Sequence, residues 1–449
     1  MKTRFGLSRV LALATVVALI SPAGWSGGAV ADDRGTNREN EAPASVTPGV
    51  DRLLPPRVTP IGTFEGVRYV RYSGVFEGQT STGAFRVPYQ ITAAQDPRHG
   101  NRTVLVEPSH FAIGLGVRDI YLRPRFLFGR GFAHAGIGWS TATFGPGRDK
   151  RILDPTVPDV FIAGGVAEGG GRTDNEIIVA FARALAVDWQ AKKMLGKVAR
   201  RYVSGFSDAS TPLMDLIISG RASKVFDFAL PFLTEEPDPQ LALRSGRFRG
   251  KLIVLNSEAD ASSALIDRRL VPDRYRFYQV AGTPHVADPP DIPFFSNRTT
   301  PASYEPALRA HFLQGDRWVR RGSQPPASYH LRTTGGTGIA RDTNGHAIAV
   351  DVHGRRVPRL PFVELGEARY TRGFLGSYDR VRSIAELGFG SHARYREAFR
   401  RRLSDHAEAG YILPRDAEEM RARAALCPPL TFTQTYRGHY DNFVAIDPC

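Results

Sequence analysis

The segment at residues 197–219, KVARRYVSGFSDASTPLMDLIIS, constrains the fold of this chain most strongly. Its first half is short and rich in β-branched and aromatic residues, which predicts a strand. Its second half carries leucine and isoleucine at helical spacing, which predicts a helix. Between them, Ser207 is flanked two positions away by the small residues Gly205 and Ala209. Such spacing is typical of a sharp strand-to-helix turn that holds the serine hydroxyl exposed.

The residue after the serine, Asp208, begins the predicted helix. Its backbone amide would therefore face any oxyanion that the serine creates. Its carboxylate would repel that charge, so it must point away or bind a cation of the substrate. The same pattern also fits a plain glycine–serine turn, and the rest of the chain must decide between these interpretations.

Short apolar segments alternate with amphipathic ones through the middle of the chain. Strands are predicted at residues 103–107, 132–137, 226–232, 252–256 and 276–280, and a closing helix at 304–321. This alternation predicts a mostly parallel sheet covered by helices on both faces. Alternating runs between residues 66 and 93 predict antiparallel strands at one edge. The predicted fold class is therefore α/β with an antiparallel N-terminal edge.

Two loops beyond predicted strands offer partners for the serine. The loop after 252–256 reads SEAD and carries Glu258 and Asp260, and the loop after 276–280 reads AGTPH and ends at His285. A serine needs a base that takes its proton and a carboxylate that orients the base. The order serine, acid, histidine is that of α/β-hydrolases. We favour Asp260, which lies deeper in its loop, as the acid, with Glu258 as the alternative.

The segment after the strand at 103–107 contains Ser109 and His110. This position supplies the second oxyanion amide in α/β-hydrolases. We therefore expect the oxyanion to be bound by the amide of Asp208 and by the backbone near Ser109 or His110. The cysteines lack metal-ligand spacing, and no glycine-rich segment fits a nucleotide motif, so no metal or organic cofactor is expected.

The first 31 residues have the features of a secretory signal peptide. A basic start precedes an apolar stretch at 10–20, which is too short to span a bilayer, and Ala29-Val30-Ala31 supplies a cleavage site. No later stretch is long and apolar enough to span a membrane. We expect export to the cell surface, the periplasm or the medium after cleavage near Ala31, with no stable membrane insertion.

The chain carries a formal charge of +14, which falls to +11 when the basic residues of the signal leave. Its densest run, at residues 400–402, lies on a predicted helix and is typical of a solvated face, so no nucleic-acid partner is predicted. The charge favours acidic surfaces or anionic polymers without identifying one.

The chain divides into four predicted segments. A flexible, proline-rich lead at 32–57 follows the signal at 1–31, an α/β-hydrolase core spans 58–321, and a loop-rich and helical extension at 322–449 packs on the core or covers its cleft.

Cys427 and Cys449 are the two cysteines of the chain. In an exported protein we expect them to form a disulfide, worth about 3 kcal/mol. Two free thiols are the alternative.

These motifs resemble those of secreted bacterial α/β-hydrolase-domain proteins, a largely uncharacterised family of serine hydrolases. The similarity covers about residues 60–425 and rests on GNRTVLVE at 100–107, GFSDAS at 205–210, SEAD at 257–260 and AGTPH at 281–285. The chain departs from the family pattern at Asp208, where an amide is common, and at Ala209. The resemblance implies an α/β-hydrolase fold and ester hydrolysis, but no particular substrate.

The sequence thus predicts an exported serine hydrolase that cleaves a small or polymeric carboxylic ester through Ser207, His285 and Asp260. An acyltransferase or a peptidase could use the same three residues. A binding protein that keeps the fold without the chemistry is a further alternative, to which Asp208 gives weight. A protein that binds anionic polymers through its basic charge is the last.

Overall fold

The computed structural model describes most of the chain between residues 51 and 426. The described ranges are 51–110, 121–144, 160–168, 171–235, 237–286, 302–335, 338–371, 373–374, 377–379 and 382–426. Outside these ranges lie the predicted signal peptide, most of the predicted flexible lead and both cysteines. The signal peptide and the disulfide therefore stay predictions.

The N-terminal strands form an antiparallel edge. They are β1 (Arg52–Leu53), β2 (Arg57–Phe64), β3 (Val67–Gln79) and β4 (Ala84–Ala94). The prediction of a flexible lead as far as residue 57 is wrong for its last residues, because β1 pairs with β3. Leu53 is buried in the core, and Arg52 lies 2.6 Å from Glu77.

The centre of the sheet is parallel. Its strands are β5 (Thr103–Pro108), β6 (Ala133–Ile137), β10 (Arg200–Phe206), β11 (Phe228–Phe232), β12 (Lys251–Ser257) and β13 (Tyr275–Val280), and β7 (Phe161–Ile162), β8 (Val166–Glu168) and β9 (Gly171–Thr173) lie in the connection before β10. The order across the sheet is β4, β6, β5, β10, β11, β12, β13. Every residue of β5, β11 and β13 is buried, so both faces of the sheet are covered.

Helices cover the two faces. They are α1 (Pro124–Phe128), α2 (Thr141–Phe144), α3 (Glu176–Val187), α4 (Trp189–Leu195), α5 (Ser210–Ser219), α6 (Gln240–Arg244) and α7 (Glu305–Arg321). Phe181 of α3 and Leu213 of α5 belong to one apolar cluster with Val203 of β10. Phe312 of α7 contacts the ring of Tyr202, the preceding residue of the same strand. Successive strand residues point to opposite faces, so α7 covers the face opposite α3 and α5.

The segment after residue 322 continues the sheet. It contains β14 (Tyr329–Leu331), β15 (Ala349–Asp351), α8 (Pro361–Leu365), β16 (Arg369–Thr371), β17 (Ser377–Asp379), α9 (His392–Glu408) and α10 (Pro414–Leu426). β14 lies parallel to β13, and β15 lies antiparallel to β14. The residues before and after position 322 belong to the same compact unit.

This architecture confirms the predicted α/β fold class with its parallel centre and antiparallel N-terminal edge. Among the helices of the described ranges, none is long and apolar enough to cross a membrane.

α7 carries the buried His311, and the extension carries the buried His406. The ring of His311 stacks on that of Tyr278 with centroids 3.6 Å apart, and its Nδ1 lies 2.8 Å from Gln314 Oε1. Burial lowers the pKa of His311 to about 3 and that of His406, on α9, to about 4. Both rings are therefore neutral in the folded protein at neutral pH.

We predict that acid destabilises the fold through these histidines. An unfolded histidine takes up a proton near pH 6.5, whereas His311 and His406 stay neutral until about pH 3 and 4. As the pH falls from 6 to 5, the free energy of unfolding should therefore fall by up to about 1.4 kcal/mol per pH unit for each of them. Urea unfolding across this range should give a shallower pH dependence for His311→Asn or His406→Gln. The exposed histidine variant His353→Asn should keep the wild-type slope, and equal slopes for all variants would refute this assignment.

Candidate active site

Ser207 stands at a sharp turn between a strand and a helix. β10 ends at Phe206, a 3₁₀ turn covers Ser207–Ala209, and α5 begins at Ser210. The φ angle of Ser207 is +51°, in the left-handed region that non-glycine residues adopt at a cost. The residue is partly exposed although the strand before it is buried. This geometry agrees with the turn predicted from the sequence.

The small residues around the serine are a steric requirement of this turn. A Cβ atom on Gly205 would overlap the carbonyl oxygen of Ala209, because the chain folds back directly over the end of the strand. Ala209 is itself fully buried. The G-x-S-x-A pattern is therefore explained by packing of the backbone within the turn.

The two other candidate loops meet each other at the carboxyl ends of β12 and β13. Nδ1 of His285 lies 2.6 Å from Oδ1 of Asp260, and both side chains are nearly buried. The second carboxylate oxygen of Asp260 accepts a hydrogen bond from the hydroxyl of Ser257. The side-chain amide of Asn256 donates to the backbone carbonyl of Asp260 at 2.7 Å. The carboxylate is therefore held in one orientation, facing the imidazole.

Glu258, the alternative acid, has a different set of partners. Its Oε2 accepts a hydrogen bond from the amide of Gly282 at 2.7 Å, and its Oε1 accepts one from Nη2 of Arg341 at 2.7 Å. The carboxylate thus joins the acid loop to the histidine loop and to the C-terminal extension. Between the two acids, it is Asp260 that the structure brings to His285.

The serine turn lies beside the histidine. The ring of Phe206, the residue before the serine, has its centroid 5.5 Å from that of His285 and 4.9 Å from that of His110. Three segments that follow parallel strands therefore come together at one edge of the sheet. The serine turn follows β10, His285 follows β13, and His110 follows β5.

The prediction of Ser109 as an oxyanion donor is wrong. Its amide donates to the carbonyl of Ile137 at 2.8 Å, which extends the β5–β6 ladder. Its hydroxyl shares a hydrogen bond with that of Thr143 at 2.8 Å. The amides of His110 and Asp208 stay the candidates for this role.

The carboxylate of Asp208 lies beside His110. Its Oδ1 is 3.4 Å from Nε2 of His110, and the side chain is 36% exposed. Burial, followed by the nearby imidazole of His285, lowers the pKa of His110 to about 3, so that ring is neutral at neutral pH. The negative charge next to the serine therefore faces a neutral imidazole.

Sequence reasoning missed three residues that surround the candidate histidine. The backbone amide of His285 donates to the carbonyl of Gly373 at 3.1 Å, and the ring of Phe374 stacks on the imidazole with centroids 5.0 Å apart. The hydroxyl of Tyr304 donates to the carbonyl of His285 at 3.1 Å. The extension was expected to pack on the core or cover its cleft, but no motif identifies Gly373 or Phe374 as neighbours of the histidine. In the described ranges, no group of three or more histidine, cysteine or acidic residues could hold a metal ion.

A sequence model of the family described as alpha/beta hydrolase domain matches residues 194–422, just over half of the 449-residue chain. The chain belongs to the α/β-hydrolase domain family. The family predicted from the sequence motifs is therefore confirmed. The matched region of this α/β-hydrolase contains Ser207, Asp260 and His285 together with most of the segment after residue 322.

Comparison with solved structures gives distant likenesses. A glucuronoyl esterase from Solibacter usitatus is 11% identical, with 48% of this chain and 70% of that chain covered and a TM-score of 0.29. An S-formylglutathione hydrolase from Agrobacterium tumefaciens is 13% identical, with 51% and 91% covered and a TM-score of 0.29. Poly(aspartic acid) hydrolase-1 from Sphingomonas sp. KT-1 is 14% identical, with 44% and 78% covered and a TM-score of 0.28. At such TM-scores these likenesses carry no argument about the substrate. The search of curated proteins gave no match.

Proposed function

We propose that this α/β-hydrolase is an exported serine hydrolase that cleaves a carboxylic ester. Ser207 is the nucleophile, His285 the base and Asp260 the residue that orients the base. The observation that carries the proposal is the 2.6 Å contact between His285 Nδ1 and Asp260 Oδ1, beside a serine held at a strained turn. Export rests on the signal-like features of residues 1–31.

The hydrogen bond to Asp260 sets the proton position on the imidazole. With the proton on Nδ1, the other ring nitrogen, Nε2, is the acceptor that the serine hydroxyl needs. In this scheme Ser207 Oγ attacks the acyl carbon while His285 Nε2 takes its proton. The same nitrogen then protonates the leaving alcohol, which leaves an acyl-enzyme on Ser207.

Water completes the cycle in the second half of the reaction. His285 Nε2 takes a proton from a water molecule that attacks the acyl carbon, and it returns the proton to Ser207 when the acid leaves. We assign the oxyanion of both tetrahedral intermediates to the amides of Asp208 and His110. Asp208 lies in the turn that leads into α5, where backbone amides favour negative charge. No step needs a metal or an organic cofactor.

A fluorophosphonate probe tests the nucleophile directly. We expect the folded chain to be labelled once, at Ser207, and Ser207→Ala to remove the label. Ser219→Ala, which changes the serine at the end of the following helix α5, is the matched control and should be labelled like the wild type. Peptide mass spectrometry locates the adduct. A folded wild-type chain that resists the probe would contradict the proposal and would favour a binding protein built on this fold.

Substitutions of Asp260 and of Glu258 should have different effects on ester turnover. Asp260→Asn should lower kcat for a p-nitrophenyl ester by about 10⁴-fold, because an amide can no longer hold the imidazole in the required tautomer. Glu258→Gln should lower kcat by less than about tenfold. This variant should also lower the free energy of unfolding by about 1.5–3 kcal/mol. Glutamine replaces one carboxylate oxygen with an NH₂ group, so either the amide of Gly282 or the guanidinium of Arg341 loses its acceptor. Steady-state kinetics and urea unfolding measure both effects, and the reverse ranking of kcat would show that Glu258 is the acid.

A further inference from the structure

A basic cavity of about 290 Å³ lies among α1, α7 and α10, apart from the residues proposed for catalysis. None of Ser207, Asp260 and His285 lines it. Its most frequent lining residue is arginine: Arg123, Arg125, Arg130, Arg309, Arg317 and Arg415. Six guanidinium groups around one cavity create a positive potential unless carboxylates balance them, so the pairing of each arginine matters.

The inner wall of the cavity is a buried ion-pair network. Arg309 donates to Oδ1 of Asp416 through Nε at 3.0 Å and Nη2 at 2.6 Å, and through Nη1 to Glu305 at 3.2 Å. Nη1 of Arg123 donates to Glu419 at 2.9 Å. These contacts join α7 to α10 and place three carboxylates against two guanidinium groups.

Two further arginines of the cavity also lie close to carboxylates. Nε of Arg415 lies 3.5 Å from Glu419, and Nε of Arg125 lies 3.3 Å from Glu65. Four arginines of the cavity are thus matched by four carboxylates.

Arg130 and Arg317 are the excess cations. Within the described ranges, neither forms an ion pair with a carboxylate. Arg130 donates from Nη1 to the carbonyl of Phe126 at 2.8 Å, and its guanidinium lies 4.4 Å from the centre of that ring. Arg317 lies two turns after Arg309 on α7. Burial, followed by the nearby charge of Arg415, lowers the pKa of Arg130, while the carboxylates of Asp416 and Glu65 raise it.

The chemistry of the cavity points to a small oxyanion. Guanidinium groups bind carboxylates and phosphates in a bidentate manner, and a cavity of about 290 Å³ is large enough for a small organic molecule.

We propose that this cavity binds a small oxyanion, either a phosphate ester or a carboxylate, through Arg130 and Arg317. The site is distinct from the proposed triad, so binding does not require Ser207. The anion neutralises the excess charge of the cavity.

Isothermal titration calorimetry with inorganic phosphate on the full chain tests this proposal. The ionic strength is kept constant with chloride, because a change in salt concentration would itself alter the screening of the arginine charges. We expect saturable binding of about one phosphate per chain. Arg130→Gln/Arg317→Gln should weaken it by about tenfold or more, since each removes a charge-assisted hydrogen bond. Parallel titrations with glycerol 3-phosphate and glycerate decide between a phosphate ester and a carboxylate, because the class that the cavity takes should bind more tightly than the other.

Further variants control for general charge effects and for misfolding. Arg249→Gln/Arg356→Gln removes the same charge from exposed arginines outside the cavity and should bind phosphate as the wild type does. Ser207→Ala should also bind normally. Arg317→Glu places a carboxylate in the cavity and should abolish binding with no loss of thermal stability. The proposal is overturned by an absence of saturable binding, by equal losses in both arginine pairs, or by binding that survives Arg317→Glu.

Discussion

The hydrogen bond between His285 and Asp260 is the interaction on which the candidate site depends. A carboxylate this deeply buried needs donors, and Asp260 has the imidazole on one oxygen and the Ser257 hydroxyl on the other. Ser257 and Val280 are paired at the ends of two neighbouring parallel strands, so the acid and histidine loops begin at the same level. The sheet register thus brings the two side chains together before any loop detail is considered.

The segment after residue 322 holds these loops from outside the parallel sheet. Arg341 binds Glu258, Gly373 accepts from the amide of His285, and Phe374 stacks on its ring. The buried pairs of Arg309 join α7 to α10 at a second place. The family match runs through this segment as far as residue 422, which agrees with its being part of the α/β-hydrolase unit.

Features with a local physical cause could be predicted from the sequence. Buried parallel strands are apolar, so β5, β10, β11, β12 and β13 were found within a few residues, and the small residues around Ser207 indicated the turn. Features that depend on register or on side-chain direction could not. Ser109 looked available until its amide proved to extend the β5–β6 ladder. Leu53 lies in a polar segment, and only its tertiary packing makes β1 a strand. Nothing local identifies Phe374 as a neighbour of the imidazole.

The proposed site requires Ser207 and His285 to act as one unit, and a double-mutant cycle on ester turnover measures this directly. When two residues act together in one step, removing either of them lowers kcat by as much as removing both. We predict that Ser207→Ala and His285→Ala each lower kcat by about 10⁶-fold and that the double variant loses no more. Substantial turnover by either single variant, or losses that multiply in the double variant, would contradict the account.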